Sequence, residues 1–158
     1  MDAEDYYFPK DNRDYDDAMT RTREEVIRLL LEDLKTHRNF VFASVKGNYG
    51  EEAMSMFTCA VWVRVPKEIR VNRVRERSYE KFGDRILQGG DLYEKENSFF
   101  EMVERRSEKD VEAWLDSAGI PILEVDGTQP TEKNVQIIKG FLWRQGKENN
   151  ADGFSEVY

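Results

Sequence analysis

Apolar residues return along this chain at two spacings. Val26, Leu29, Leu30 and Leu34 recur at helical intervals, after Thr20 or Thr22 as a cap and Glu24 and Glu25 in the first turn. That helix runs to about Lys35, with His37 and Arg38 near its end, where positive charge suits the dipole. Phe40 to Val45 is short, apolar and β-prone, and Gly47 and Gly50 mark the turn after it. Cys59 to Val65 is a second such run, stopped by Pro66, and Ile120 to Val125 is a third. Helical signals fill the gaps: one helix from Lys67, one or two across 92–118 ending near Gly119, and a last one capped by Thr131 with Val135, Ile138, Phe141 and Leu142. Continuous apolar strands separated by helices predict an α/β fold with a small parallel sheet covered on both faces. Arg64 belongs near a strand end, where its head reaches solvent. Residues 9–20 read as a polar loop, and 146–158 as a polar, acidic, mobile tail. There is no internal repeat.

Charge changes this picture in one place. The whole chain carries −8, yet Arg64–Gly90 holds eight Lys/Arg against four acids, 8 − 4 = +4. The remainder therefore sums to −8 − 4 = −12. Arg73 and Arg77 lie one helical turn apart on one face, and paired planar guanidinium forks suit phosphate oxygens. The competing description is a solvated helix laced with Glu–Arg pairs, each worth about 0–1 kcal/mol. The excess charge and the glycine-bearing loop that follows favour phosphate contact.

Other features bound the function. The length of 158 residues suits one domain burying roughly 68–70% of its unfolded surface. No apolar run approaches the ~20 residues of a membrane helix, and Met1 is followed by acids rather than by a signal sequence, so a cytoplasmic setting is expected. The single cysteine, Cys59, excludes an internal disulfide and reads as a buried inert thiol. His37, the only histidine, reads as a solvated helix-end residue. The acidic pI near 4.9 argues against nucleic acid as a partner, but not against a small anion. Asp126-Gly127-Thr128-Gln129-Pro130 by itself reads as a plain strand–turn–helix connection, with Gly127 for the turn and Thr131 for the cap, but it sits beyond a strand end, where ligands of parallel α/β sheets bind. Asp2, Glu4 and Asp5 can hold Mg²⁺ or accept a proton, or can simply form a frayed acidic terminus. No G-x-x-x-x-G-K-[ST] phosphate cradle exists in the chain.

Four segments in order, DAEDYYF, EEVIRLLLEDLKTHRNFVFA, VPKEIRVNRVRERSYEKFGDRILQGGDLYE and PILEVDGTQPTEKNV, resemble P-loop small-molecule kinases of the adenylate kinase type, including bacterial proteins loosely labelled AAA-family ATPases. The resemblance covers residues 1–143. It implies a three-layer P-loop kinase-like domain over 1–145, a lid-like segment at 66–91, and ATP with Mg²⁺ as cofactors. Asp2, Glu4 and Asp5 would serve the acceptor, Arg73 and Arg77 the transferring phosphates with Arg85 assisting, and Gly127, Thr128 and Pro130 the nucleotide base. Family members begin with a strand, a P-loop and a helix before the acidic motif. That central first strand would lie between 39–45 and 59–65, and is missing here. The expectation is an N-terminally truncated kinase, inactive alone. The alternatives are a non-catalytic nucleotide-, phosphate- or partner-binding module, or half of a split kinase completed by another chain or by a homo-oligomer. The acceptor is left open.

Overall fold

The computed structural model describes residues 1–9 and 20–151. Its elements are α1 (Ala3–Tyr7), α2 (Arg23–Thr36), α3 (Glu51–Met54), β1 (Ala60–Arg64), α4 (Lys67–Phe82), a 3-10 helix (Gly83–Ile86), α5 (Tyr93–Arg105), α6 (Lys109–Ser117), β2 (Ile122–Asp126) and α7 (Thr131–Ala151). The fold is mixed α/β, mostly helical, with a two-stranded parallel sheet. Among the described residues no helix is long and apolar enough to cross a membrane. The described residues form two compact units, 1–9 and 20–60 with 109–121, and 61–108 with 122–151.

The first unit is built on α2. Thr22 is its cap: its hydroxyl accepts from Glu25 N–H while the Glu25 carboxylate accepts from Thr22 N–H, a reciprocal capping box. Val26, Leu30 and Leu34, four residues apart, form its buried stripe. Ala3, Tyr6, Tyr49 and Ala53 complete this core. Each fully buried aliphatic side chain contributes roughly 1.5–3 kcal/mol. Tyr6 Oη donates to Asp33 Oδ2 at 2.6 Å, which anchors α1 on α2. Burial, reinforced by Asp33, raises the Tyr6 phenol far above its ordinary range, so it stays a donor.

Phe40–Val45 corrects the expectation of a buried strand. It makes one parallel bridge, Asp2 with Ala43, through Ala3 N–H to Ala43 O at 2.9 Å and Ala43 N–H to Met1 O at 3.0 Å. Phe42 turns inward, with its ring 5.0 Å from Tyr49 and 6.1 Å from Tyr6. Val41 and Val45 point the other way and are 79% and 67% exposed. With a neighbour on one edge and packing on one face, the segment has too few partners to be a sheet strand.

In the second unit, β1 and β2 run in the same direction: Gly127 N–H donates to Arg64 O at 2.7 Å just beyond their carboxyl ends. Burial on both faces was expected, but among the residues of these strands only Val125 is buried. Two strands cannot surround each other as a wide sheet does. Pro66 opens α4, and Gly83, at φ +58°, closes it in a backbone region that disfavours other residues. Val71 and Ser78 lie on the buried face of α4. Val74 and Phe82 pack against Ile86, Leu92 and Phe100. The 92–118 region divides into α5 and α6. Thr131 is the first residue of α7 rather than its cap, and α7 runs past Gly146 to Ala151, so the tail boundary expected at 146 falls inside a helix. The remaining tail, 152–158, and most of the expected loop, 10–19, lie outside the described residues.

Candidate anion-binding site

The six arginines of Arg64–Gly90 fall into two groups. Four are paired with carboxylates. Arg64 bonds Glu124 at 3.3 Å and Glu108 at 3.4 Å, and Arg70 bonds Glu108 at 3.1 Å. Arg75 bonds Glu104 at 2.9 Å and stacks over Phe100 at 5.4 Å. Arg85 grips Asp91 through Nε and Nη2, the shortest contact being 2.7 Å. That hydrogen-bonding holds the Asp91 carboxyl below its usual range. Arg64 sits at the end of β1 with its side chain 45% exposed, as its sequence position predicted, and lies 4.6 Å over Trp62. Arg85, expected to assist at phosphate, is held by Asp91 and lines neither cavity described below.

Arg73 and Arg77 differ. Arg73 Nη1 donates to the Gly127 carbonyl at 2.9 Å, and Arg77 Nε to the Arg73 carbonyl at 3.3 Å. Neither makes an ion pair with a carboxylate among the described residues, and both are exposed. The first contact brings together two segments that the sequence nominated separately, the arginine helix and the loop after β2. A cavity of about 370 Å³ lies on this face, lined by Val65, Arg70, Arg73, Glu76, Arg77 and Glu80. Arg70, Arg73 and Arg77 are spaced i, i+3, i+7, which places them on one helix face. The same spacing in the sequence would have added Arg70 to the candidate pair.

The loop after β2 is fixed by Asp126. Its Oδ1 accepts from the Thr128 hydroxyl at 2.6 Å and from Thr128 N–H at 2.8 Å, and its Oδ2 accepts from Gln129 at 3.1 Å. These bonds, the Thr128 hydroxyl foremost, hold the Asp126 carboxyl below its ordinary range. Asn134 Nδ2 donates to the Asp126 carbonyl at 2.8 Å, and Pro130 O accepts from Lys133 and Asn134 as α7 begins. Gly127 has no space for a side chain: a Cβ there would lie 2.5 Å from Val65 Cγ2, 2.7 Å from Val63 Cγ1 and 3.1 Å from Arg64 O. Gly127, Thr128 and Pro130 thus shape the turn, and Gly127 also receives Arg73.

A second cavity of about 390 Å³ is lined by Arg64, Val65, Pro66, Glu108, Glu124, Val125 and Asp126. Glu108 carried no signal in the sequence. It lies 38 residues from Arg70, and only the fold joins them. The acidic N-terminal residues belong to the first unit. Asp2 caps α1, accepting from Glu4 N–H at 3.0 Å, and its backbone forms the bridge to Ala43; Glu4 and Asp5 are exposed in the first turn of α1.

The chain is 26% identical over 152 residues to the uncharacterized protein YqaC of Bacillus subtilis (strain 168), a match covering 90% of this chain and 82% of that protein. No family model matches the chain, and no solved structure does.

Proposed function

We propose that the chain binds a phosphate-bearing small molecule, a nucleotide foremost, on the Arg73–Arg77 face of α4. The observation that carries this reading is the bond from Arg73 to the Gly127 carbonyl, which ties Arg73, and through the Arg73 carbonyl Arg77, to the strand-end loop beside a cavity. Guanidinium groups with free forks are matched to phosphate oxygens. The resemblance to P-loop small-molecule kinases points the same way, with α4 in the role of a lid. Arg73 and Arg77 fit the phosphates of ATP. Mg²⁺ would be carried mainly by those phosphates, since no three metal-ligating side chains cluster among the described residues. ATP-dependent phosphoryl transfer requires a backbone cradle for the β- and γ-phosphates, and this chain has no motif for one. Recognition is therefore the part assigned to these residues, and transfer depends on a cradle from another segment or chain.

Calorimetric titration with pyrophosphate and ADP tests this reading. The double variant R73A/R77A should bind each about 10-fold or more weakly, a conservative figure for charge-assisted hydrogen bonds at a solvent-facing site. Wild-type and variant affinities that agree would reduce the arginine pair to a solvated helix face.

A further inference from the structure

We infer that Asn134, near the start of α7, is a positioning residue for the anion site and acts on it through Arg73. This rests on the anion-binding reading above. Arg73 donates to the Gly127 carbonyl, so the direction of that carbonyl sets where the guanidinium stands. Two consecutive peptide groups of the loop decide the direction. The Asp126–Gly127 group is held at both ends: its N–H donates to Arg64 O at 2.7 Å, and its carbonyl accepts from Asn134 Nδ2 at 2.8 Å. The Gly127–Thr128 group is held likewise: its N–H donates to Asp126 Oδ1 at 2.8 Å, and its carbonyl accepts from Arg73 Nη1 at 2.9 Å. A peptide group is planar and turns as a unit. A tilt of the first group therefore reaches the second across Gly127 and takes the Arg73 contact with it.

The Asp126 carbonyl also accepts from Gln129 N–H at 3.1 Å. That bond closes the turn on itself and ties it to nothing else. Arg64 O ties the turn to β1, and Asn134 ties it to α7. Asn134 Oδ1 is buried without a hydrogen-bond partner among the described residues. A buried unpaired acceptor opposes folding, so what this amide contributes comes through its donor. A leucine of similar size would lose the tether and the unpaired acceptor together. Asn134→Leu therefore separates positioning from stability: its urea midpoint should stay near that of wild type while Arg73 loses its fixed carbonyl.

The test titrates pyrophosphate calorimetrically into wild type, N134L, R73A, R73A/N134L and R73A/R77A, with urea melts to show that each is folded. N134L should weaken binding about 3-fold, the scale of one neutral hydrogen bond. Added to R73A, the same substitution should weaken it no further, because the residue it positions is gone. A loss of equal size in both backgrounds overturns the inference, since the effect would not pass through Arg73. An N134L affinity equal to that of wild type also overturns it, while sensitivity to R73A/R77A leaves the anion site standing. Pyrophosphate binding that is absent up to about 10 mM, or indifferent to R73A/R77A, overturns the site and the inference with it. Should N134L fail to fold, N134A removes the same donor without added bulk and is read by the same outcomes.

Discussion

Replacing Gly127 by alanine tests the geometry of the candidate site most directly. The residue sits where the loop after β2 crosses the end of β1, and an added Cβ would lie 2.5 Å from Val65 Cγ2 and 2.7 Å from Val63 Cγ1. Both distances are well inside van der Waals contact. Val63 is 53% exposed and can rotate away at little cost. Val65 is half-buried, and the Arg64 carbonyl, 3.1 Å from the new carbon, cannot rotate independently of β1. The backbone must then shift, lengthening the 2.7 Å bond from Gly127 N–H to Arg64 O and moving the carbonyl that Arg73 holds. Overpacking of this kind costs about 1–3 kcal/mol. Weakening one backbone hydrogen bond adds about 1 kcal/mol. The expected destabilisation is therefore about 2–4 kcal/mol, read as a lower urea midpoint at unchanged slope. The same variant should weaken pyrophosphate binding, because the Arg73 anchor moves with the loop. A midpoint equal to that of wild type would mean that the loop does not cross β1 as described.

The other outcomes concern separate parts of the molecule. Thr22→Ala removes half of the capping box on α2 and should lower stability by about 1 kcal/mol, which calorimetry would register as a Tm about 2–4 °C lower; an unchanged Tm would refute it. Glu96 is buried in α5 with Oε2 unpartnered, so Glu96→Leu should raise the urea midpoint by the equivalent of about 1 kcal/mol, and a fall would contradict that account. Asp126 has a folded pKa below its unfolded value, so its contribution is present above the unfolded pKa of about 3.9 and is lost as pH falls through the folded value. Urea midpoints measured from neutral pH into acid should fall less steeply for Asp126→Asn than for wild type; parallel curves would show that the loop bonds do not contribute.

What the sequence revealed depended on the range of the interactions. The α2 stripe was legible, because Val26, Leu30 and Leu34 encode it locally. The β1 run was legible because Pro66 ends it and begins α4. Phe40–Val45 was misread for a physical reason. Apolar residues on both faces resemble a strand buried on both faces, but Phe42 packs inward while Val41 and Val45 face solvent. Composition states a capacity for burial, and only the neighbours decide whether it is used. Within the site, Arg73 and Arg77 could be nominated from their spacing. Their link to the loop could not, since the Arg73–Gly127 bond spans 54 residues.

Charge counting failed in an instructive way. The stretch Arg64–Gly90 carries +4 by itself. Asp91, the next residue, and Glu104, Glu108 and Glu124, brought by folding from later in the chain, pair with Arg85, Arg75, Arg70 and Arg64. Those four carboxylates cancel the excess of the stretch, 4 − 4 = 0. The Arg64–Glu124, Arg75–Glu104 and Arg85–Asp91 pairs are substantially exposed and contribute at most about 1 kcal/mol each to stability. Their larger effect is selective: they neutralise the flanking cations and leave Arg73 and Arg77 without a carboxylate. A ligand at this site is therefore held by local geometry, two guanidinium forks beside a fixed loop, and its binding should owe little to steering by the protein's overall field.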